Sequence, residues 1–396
     1  MSTTSTTGQA RATLGVPRLL TGQGPGYGEH LRTLGPLPER PGLIDEIARS
    51  GLTGRGGAAF PAGVKLAAMS PRGVVIGNGS EGEPLSAKDE LLLHNRPHLV
   101  LDGLLATAHA VDARRLHLVV GAGSEDPVRR AIRERDDADR IEVTVAQDRF
   151  VGGEASAIVD LLATGRGLPK DHAVRLTTRG LRGRSTLVQN VETLAHIGLI
   201  ARIGGDRWGE VGDPDDRGTR LFSISGDVAH PGVIEAPGGA TLRSLLAPSS
   251  PQSVAAVLVG GYHGAWVGRD ALVRPVGVPA MRRAIPAGAG ILLVLGERTC
   301  GLRTAAEMAA YLAAESAGQC GPCVNGLPAL ADLVTRVADG DRDPRLPAHV
   351  ERMAGLVEGR GACHHPDGTA RMVRSALHAF ADDVAAHQHG SCTAAR

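Results

Sequence analysis

The chain is poor in aromatic residues, in net charge and in long apolar runs. Aromatic side chains make up only 2% of its 396 residues, so the core must be built from Leu, Val, Ile and Ala. The formal net charge is +1, which gives no electrostatic reason to expect a nucleic-acid or membrane-surface partner. The longest apolar stretch, residues 288–296, is far shorter than the roughly 20 residues of a membrane-spanning helix. We therefore expect a globular protein with no direct membrane span and no nucleic-acid partner.

The sequence also shows no targeting signal and few cysteines. Residues 1–10 are rich in Ser and Thr and contain no apolar stretch, so we expect no signal peptide and a cytoplasmic location. The five cysteines are an odd number, and three of them cluster by spacing. In a reducing compartment this usage favours metal binding over disulfides. A length of 396 residues is enough for two or three domains.

Strand-like and helix-like segments alternate through the first half of the chain, which predicts an α/β fold with a mostly parallel sheet covered on both faces. The predicted strands are 74–76, 116–120 and 141–145, and the predicted helices include 43–50, 98–111, 126–135, 155–163 and 186–200. A Gly-, Asp- and Pro-rich stretch at 209–218 is typical of a domain boundary.

The second half of the chain changes character twice. Short strands at 220–225, 233–235 and 255–259, with a short helix at 241–246, predict a small β-grasp-like domain. Beyond it, helical segments at 304–316, 324–337, 349–358 and 370–386 predict a C-terminal helical bundle.

A glycine-rich loop at residues 51–65, GLTGRGGAAFPAGVK, is the most distinctive stretch of the sequence. Its five glycines permit positive φ and close approach of a ligand, and successive N–H groups in such a loop form a nest for phosphate. Arg55 and Lys65 add positive charge, and Phe60 adds an aromatic face. No G-x-x-x-x-G-K-S/T motif occurs here, so it is not a P-loop. By itself the loop fits a nucleotide nest and an ordinary Gly-rich surface turn equally well.

An acidic turn, GNGSEGEP at residues 77–84, follows the predicted strand at 74–76. It carries Asn78, Ser80, Glu81 and Glu83 at the carboxyl end of that strand, where open α/β sheets bind ligands. Carboxylates at such a position commonly bind ribose or ribityl hydroxyls, whereas the alternative is a solvated acidic turn. The turn strengthens the interpretation of the glycine loop as part of a nucleotide site.

The Cys320-Gly-Pro-Cys323 motif and the distant Cys363 form a metal or iron–sulfur pattern, because thiolates bind soft metals. A redox dithiol and inert buried thiols are the alternatives. A cubane cluster needs four ligands, and neither Cys300 nor Cys392 is an obvious fourth. His364 and His365, beside Cys363, are closer candidates.

These motifs, in this order, resemble the flavin-bearing, NADH-oxidising subunit of respiratory complex I and the related diaphorase subunits of NAD-linked hydrogenases and formate dehydrogenases. Residues 51–65 resemble the family's flavin and nucleotide loop, and residues 78–84 resemble its acidic flavin-contacting turn. FVGGE at 150–154 is similar to the second flavin stretch, and residues 186–194 to the family's Asn-rich helix start. GTRLFSISGDVAHPGV resembles the β-grasp, soluble-ligand-binding (SLBB-like) module, and ESAGQCGPC followed by Cys363 resembles the iron–sulfur region.

The resemblance implies cofactors and site residues. FMN would be lined by Gly54, Arg55, Gly56, Gly57, Lys65, Asn78, Glu81, Gly153, Glu154, Asn190 and Thr193. Phe60 and Glu83 would face NAD(H) or NADP(H), and Glu83 and Glu154 would be the catalytic carboxylates. Cys320, Cys323 and Cys363 would hold a 4Fe-4S or 3Fe-4S cluster with an incomplete ligand set.

Four departures from the family pattern bear on these roles. Ala317 stands where the family has a fourth cysteine, Ser80 where it has an acid, and Ala155 where it has a second Glu. Residues 172–175, HAVR, replace the Lys-Pro-Pro-Phe stretch that packs the adenine, which should weaken or alter nucleotide binding. Arg175 in that stretch would suit a phosphorylated nucleotide, although a surface Arg is the commoner explanation.

The predicted organisation has four parts: a loop-rich lead-in (1–42), an FMN- and nucleotide-binding α/β domain (43–212), a β-grasp SLBB-like domain (213–285) and a helical iron–sulfur domain (286–396). The predicted function is flavin-dependent electron transfer between NAD(P)H and an iron–sulfur cluster or ferredoxin-like partner. That partner would be a ferredoxin or a thioredoxin-like 2Fe-2S subunit, and a larger redox complex is an expected setting. The alternatives are a nucleotide-independent electron-transfer module and a scaffold that has lost its redox chemistry.

Overall fold

The fold is described from a computed structural model, which covers residues 10–15, 17–21, 24–171 and 173–395. His172, in the segment that corresponds to the family's adenine-packing stretch, lies outside these residues. The first half contains β1 (Ala10–Thr13), α1 (Tyr27–Leu34), α2 (Leu43–Ser50), α3 (Ala62–Ala67), β2 (Val74–Gly79), α4 (Lys88–Asn95), α5 (Pro97–Ala110), β3 (Arg115–Val120), α6 (Glu125–Arg133), β4 (Ile141–Val145), α7 (Ala155–Thr164), β5 (Thr186–Asn190), α8 (Val191–Ile203) and α9 (Gly205–Trp208).

The second half contains β6 (Gly212–Asp213), β7 (Asp216–Arg217), β8 (Thr219–Gly226), β9 (Gly232–Pro237), α10 (Leu242–Leu246), β10 (Ala256–Val259), β11 (Ala265–Gly268), β12 (Val276–Gly277), β13 (Ile285–Pro286), β14 (Ile291–Leu295), α11 (Gly301–Ala314), α12 (Leu327–Ala338), α13 (Leu346–Val357), α14 (His365–Ala379) and α15 (Ala381–Gln388).

A four-stranded, all-parallel sheet with the order β4-β3-β2-β5 forms the centre of the first half. Side chains along β2 alternate between two apolar layers: Val75 packs with α5 and α8, whereas Val74 and Ile76 pack with α7. This alternation is what a strand buried on both faces requires. The mixed α/β fold and the parallel sheet predicted from the sequence are confirmed.

The prediction of one helix over residues 186–200 is wrong for its first five residues. Residues Thr186–Asn190 form β5, the edge strand paired with β2, and α8 begins only at Val191. Thr186, Leu187 and Val188 are buried in the sheet, and the Asn190 side chain accepts a hydrogen bond from the Glu192 N–H to cap α8. Asn190 therefore stands at the carboxyl end of β5, level with Asn78 of β2.

A second, six-stranded mixed sheet has the order β1-β9-β8-β14-β10-β11. The N-terminal lead-in is not purely loop: β1 pairs in parallel with β9, and α1 lies in the same region. The apolar run at 288–296 supplies β14, which pairs with β8 and β10 inside this sheet. The sheet thus extends past residue 285, the predicted end of the β-grasp domain.

Helices α11–α15 pack around an apolar core that includes Leu312, Leu330, Val334 and Val373. The segment predicted as one helix over 370–386 is instead two helices, because the backbone turns at Phe380 between α14 and α15. Over the described ranges, none of the helices has the length and apolar character needed to cross a membrane.

Candidate functional site

A cavity of about 620 Å³ opens at the carboxyl ends of β2 and β5, between the two sheets and the start of α14. Its size is within the usual range for small-molecule and cofactor sites. The following residues of the predicted site line it: Gly56, Gly57, Asn78, Glu81, Glu83, Gly153, Glu154, Asn190 and Cys363. Candidate flavin, nucleotide and metal residues, which are distant in sequence, therefore share one chamber.

Seven predicted residues do not line this cavity: Gly54, Arg55, Phe60, Lys65, Thr193, Cys320 and Cys323. The Gly54 N–H donates to the Phe60 carbonyl (2.8 Å), which closes the glycine loop, and Phe60 itself is 50% exposed. The Arg55 N–H donates to Thr193 Oγ1 (2.9 Å), and Lys65 Nζ donates to the Val188 carbonyl. These contacts tie the loop to β5 and α8.

The charged ends of Arg55 and Lys65 are both largely removed from water. The pKa of Arg55 is lowered to about 9. Burial is the main cause, the nearby charge of Arg220 also lowers it, and Asp216 partly opposes the shift. Burial lowers the pKa of Lys65 as well, and Glu154 in the cavity wall opposes that shift. Arg55 Nη1 lies 3.6 Å from Asp216, so its charge is balanced inside the protein.

Glycines make the cavity wall thin where the glycine loop meets β5. A Cβ on Gly56 would lie 3.2 Å from Asn190 Cβ, tighter than ordinary side-chain contacts. Gly57 has φ +116°, which L side chains rarely adopt, and a Cβ there would touch the backbone of residues 288–289. The loop therefore leaves its backbone bare toward the cavity, which suits close approach of a flat or phosphorylated ligand.

The acidic turn is ordered by its own hydrogen bonds. Asn78 Oδ1 accepts from the N–H and the hydroxyl of Ser80, and Asn78 Nδ2 donates to the Gly153 carbonyl (2.9 Å). Glu81 accepts from the N–H groups of Asp89 and Glu90 at the start of α4. Burial and the neighbouring Asp89 raise the pKa of Glu81 to about 7.

A buried charge network lies next to the acidic turn and joins the start of α4 to Asn190 and Glu192. Lys88 Nζ lies 2.7 Å from Asp89 and 2.9 Å from Glu192, and Asn190 Nδ2 donates to Asp89 Oδ2 (2.6 Å). Burial lowers the pKa of Lys88, but the two carboxylates outweigh it and raise that pKa above its usual value. Lys88 is therefore charged at all ordinary pH values, and the network fixes the ends of β2 and β5 relative to each other.

Glu83 joins the acidic turn to the second sheet. Its Oε2 accepts from the Tyr262 N–H (3.0 Å) in the loop between β10 and β11. Gly261 has φ +94°, and a Cβ there would lie only 2.6 Å from Glu83 Oε1. Burial raises the pKa of Glu83 to about 7, and the N–H groups of Tyr262 and His263 oppose the shift. A carboxyl that titrates near neutrality in a cavity wall is a candidate for proton handling.

We expect Glu83→Gln to remove part of the pH dependence of stability. Because the pKa of Glu83 is raised to about 7 in the folded state, its stabilising contribution is complete below the unfolded value near 4.5 and is lost as pH rises through about 7. That shift corresponds to at most about 3 kcal/mol. Urea unfolding followed by fluorescence of the buried Trp208 should show the wild-type free energy of unfolding falling faster over this range than that of the variant.

The exposed Glu39→Gln is the matched control, and it should keep the wild-type pH slope. An unchanged slope in Glu83→Gln would show that Glu83 titrates at its ordinary pH in the folded protein.

Aromatic and histidine side chains form a cluster that the sequence analysis missed. Phe150 packs against His263 (4.7 Å between ring centroids), His365 (5.5 Å) and Tyr311 (6.2 Å), and Tyr262 lies next to Tyr311 (5.4 Å). The chain has only nine Phe, Tyr and Trp residues, and three of them, Phe150, Tyr262 and Tyr311, meet here. The rarity of aromatic residues is the one feature of the sequence that could have drawn attention to them.

Glu154, in the cavity wall, caps α7: its carboxylate accepts hydrogen bonds from the N–H groups of Ser156 and Ala157.

Of the three cysteines predicted to hold the cluster, Cys363 lines the cavity, whereas Cys320 and Cys323 are not among its lining residues. Burial raises the pKa of Cys320, but the N–H groups of Ala362 and Cys323 point at its sulfur and outweigh that effect. Burial raises the pKa of Cys323 to about 12, with Cys320 adding to the shift. Ala317 stands at the position of the missing fourth cysteine, and its N–H donates a hydrogen bond to the Cys323 sulfur, which lowers the pKa of Cys323 and so opposes this rise. Three free thiols with N–H donors around them fit the chemistry of an iron–sulfur site.

The two histidines proposed as a fourth ligand differ in their availability. His365 is buried, its Nε2–H donates to the Leu312 carbonyl (2.8 Å), and its Nδ1 pairs with His263 Nε2 (3.0 Å). Both ring nitrogens of His365 are therefore in use, which argues against the prediction for this residue. His364 is exposed, and its Nδ1 lies 3.1 Å from Asp367.

Comparison with known proteins identifies the family. Residues 47–199 match a sequence family described as the Nuo51 FMN-binding domain. Residues 303–387 match one described as the NADH-ubiquinone oxidoreductase-F iron-sulfur binding region. The chain is 30% identical, over 377 residues, to the F-subunit of NADH-quinone oxidoreductase in Streptomyces coelicolor, covering 88% of this chain and 83% of the relative. It belongs to the family of NADH-quinone oxidoreductase F-subunits.

Two further comparisons agree with membership of this family. The second NADH-quinone oxidoreductase F-subunit of Rhizobium meliloti is 27% identical over 372 residues, which cover 87% of this chain and 88% of the relative. The crystal structure of an NAD+-reducing NiFe-hydrogenase in the H2-reduced state aligns with a TM-score of 0.80 at 27% identity, covering 93% of this chain and 68% of that chain. The family resemblance and the FMN-binding and iron–sulfur regions predicted from the sequence are confirmed.

Proposed function

We propose that this chain oxidises NADH or NADPH at FMN bound in the cavity and delivers the electrons to an iron–sulfur centre. The supporting observation is the single cavity that contains the glycine loop, the acidic turn, Glu83 and Cys363. When bound, FMN takes up a hydride and releases its two electrons singly. The protein holds the reacting groups in one chamber, so that electrons have a short route toward the cysteines.

The residues in the cavity wall bind and orient the flavin under this proposal. Gly56, Gly57 and Gly153 leave space and backbone N–H groups for it, and Asn78 and Asn190 stand side by side at the strand ends. Glu81 and Glu154 are each held by N–H groups at the start of a helix, which keeps their carboxylates in fixed orientations. A further set acts by positioning the wall from behind: Gly54, Arg55, Lys65 and Thr193.

The nicotinamide nucleotide is proposed to enter on the side of Glu83 and Phe60. Glu83 would exchange a proton near pH 7 or accept hydrogen bonds beside the reacting ring, because its pKa is raised to about 7. Arg371 also lines the cavity, its Nη1 donating to the His263 carbonyl (2.9 Å). Its guanidinium supplies positive charge for an anionic nucleotide.

Cys320, Cys323 and Cys363 are proposed to hold the cluster, and residues 303–387 match the iron–sulfur binding region of the family. With Ala317 at the fourth position and His365 already hydrogen-bonded on both nitrogens, a three-iron cluster or a cubane with water on its fourth iron suits these donors.

The second candidate function is an electron-transfer module that has no nucleotide substrate of its own. Its support is local: Ser80 stands in place of an acid, and the described part of the adenine-packing segment, residues 173–175, is exposed and carries no aromatic ring. Without stacking, the adenine half of a nucleotide loses part of its binding energy. Absorption of anaerobically purified protein, reconstituted with FMN, tests both functions at once, because absence of flavin bands would contradict each of them.

We expect NADH or NADPH to reduce the bound flavin, with half-saturation at high nucleotide concentration because adenine stacking is missing. Stopped-flow bleaching of the flavin absorbance under anaerobic conditions measures the rate and the concentration dependence for each nucleotide. Dithionite, which needs no nucleotide site, is the matched control and should bleach the flavin fully. If dithionite bleaches the flavin but neither NADH nor NADPH does, the result would favour the electron-transfer module.

The partner and the setting are part of the same proposal. The relatives named above are a subunit of NADH-quinone oxidoreductase and a chain in the structure of an NAD+-reducing hydrogenase, which supports a place in a larger redox complex. We propose a ferredoxin or a thioredoxin-like 2Fe-2S subunit as the electron acceptor. The β-grasp SLBB-like domain, the C-terminal bundle and the cytoplasmic location stay predictions from the sequence.

A further inference from the structure

A second group of metal-type ligands lies at the opposite end of α11 from the Cys320–Cys323 motif. Cys300 immediately precedes α11, and Cys320 follows its other end. At 1.5 Å per residue, the helix separates the two groups by roughly 20 Å. We propose that Cys300, His387 and Cys392 bind a zinc ion at a site separate from the flavin and the iron–sulfur cysteines.

The spacing of the three ligand atoms suits a single tetrahedral ion. The two sulfurs and a ring nitrogen of His387 all lie within 4.8 Å of one another. His387 Nε2 is 3.6 Å from Cys300 Sγ. Zinc–sulfur and zinc–nitrogen bonds of about 2.3 and 2.0 Å at a tetrahedral angle place such a pair about 3.5 Å apart. Cys300 and His387 are therefore already spaced for one ion.

His387 is oriented as a metal-binding imidazole. Its side chain is buried, and its Nδ1–H donates to the Ala338 carbonyl (2.8 Å) at the end of α12. That bond fixes the tautomer, so the lone pair of Nε2 faces Cys300. A carbonyl acceptor on the far nitrogen is the usual arrangement behind a metal-bound histidine.

The C-terminal segment is folded back so that Cys392 reaches this place. Gly390 has φ +75°, its N–H donates to the His387 carbonyl (2.9 Å), and the Ser391 N–H donates to the Ala386 carbonyl (3.0 Å). These bonds close α15 with a left-handed turn. The turn returns the chain toward the N-terminal end of α11 instead of letting it run into solvent.

The chemistry of the three donors decides which ion would fit. Two sulfurs and one imidazole favour zinc over hard cations, and they leave one position of the ion for water. The ion would join α11, α12 and α15.

The test uses the full chain, loaded with FMN and its cluster, reduced, exposed to excess zinc chloride and desalted. Zinc and iron are then measured in the wild type, Cys392→Ser, His387→Ala and the exposed control His389→Ala. We expect the wild type and His389→Ala to hold about one zinc ion per chain more than the other two, with iron equal in all four. Flavin binding confirms that each variant is folded.

Thermal unfolding with and without zinc provides a second readout. Zinc should raise the Tm of the wild type and of His389→Ala, and leave that of Cys392→Ser unchanged. Equal zinc in all four proteins would overturn the proposal. A Cys300–Cys392 disulfide that forms in zinc-containing buffer open to air, with dioxygen taking up the two hydrogens and no zinc bound, would overturn it too.

Discussion

Cys323→Ser protein purified without oxygen is expected to lose most of the iron and sulfide that the wild type holds. Cys323 is only 3% exposed, and it lies beside Cys320, whose sulfur accepts N–H groups from Ala362 and Cys323. With Ala317 in place of a fourth cysteine, three thiolates are the full sulfur set at this site. A hydroxyl is a far poorer ligand for iron than a thiolate, so Cys323→Ser leaves only two thiolate ligands for the cluster.

Cys300→Ser is the control for this measurement, because Cys300 is a half-buried cysteine at the opposite end of α11. Its iron and sulfide content should equal that of the wild type. Iron missing from the wild type, or present equally in wild type and Cys323→Ser, would sink the cluster assignment while leaving the flavin proposal intact. In that event the three cysteines would be buried structural thiols.

Gly153→Leu is expected to weaken FMN binding by about 10- to 100-fold. Gly153 lines the cavity, its carbonyl accepts from Asn78 Nδ2, and a Cβ there would lie 3.5 Å from the Ser80 carbonyl oxygen. The added side chain must therefore occupy space in the cavity. Overpacking a formed site costs about 1–3 kcal/mol, which gives this range of affinity. Fluorescence titration of the apoprotein with FMN measures the change.

The neighbouring Gly152→Leu provides the control. A Cβ on Gly152 would meet Arg149 Cβ at 3.6 Å, a clearance similar to that at Gly153, but Gly152 lies on the far side of the turn from the cavity. It should bind FMN like the wild type. If both variants bind flavin normally, FMN does not occupy the space next to Gly153, and the proposed site is wrong.

Local chemistry made much of this molecule predictable from its sequence. The glycine loop and the acidic turn contain the residue types that positive φ, bare backbone and polar strand ends require, and the resemblance of both motifs to a known family supplied their roles. Strands such as β4, Ile141–Val145, follow directly from a short apolar run between turns. Gly56, Gly57 and Glu81 do line the cavity of the structure.

The rest depended on contacts between residues far apart in the chain. Residues 186–190 have helix-like spacing, but pairing with β2 makes them a strand. Glu83 can join the two sheets only because Gly261, almost 180 residues later in the chain, has no side chain that would clash with it. Likewise, five helices, α11 to α15, separate Cys300 from Cys392 in the chain, so sequence spacing could not show that the two residues meet. Tertiary packing, not local propensity, decides such pairs.

The bond from the Tyr262 N–H to Glu83 has a consequence for how a ligand leaves the cavity. Separating the two sheets here would break this hydrogen bond and leave the partly buried Glu83 carboxylate without its backbone donor, at a cost of about 1–3 kcal/mol. The loss is greatest above about pH 7, where Glu83 carries its charge. Opening about a hinge between the two sheets therefore carries this cost, whereas exchange of a ligand with the sheets in place does not.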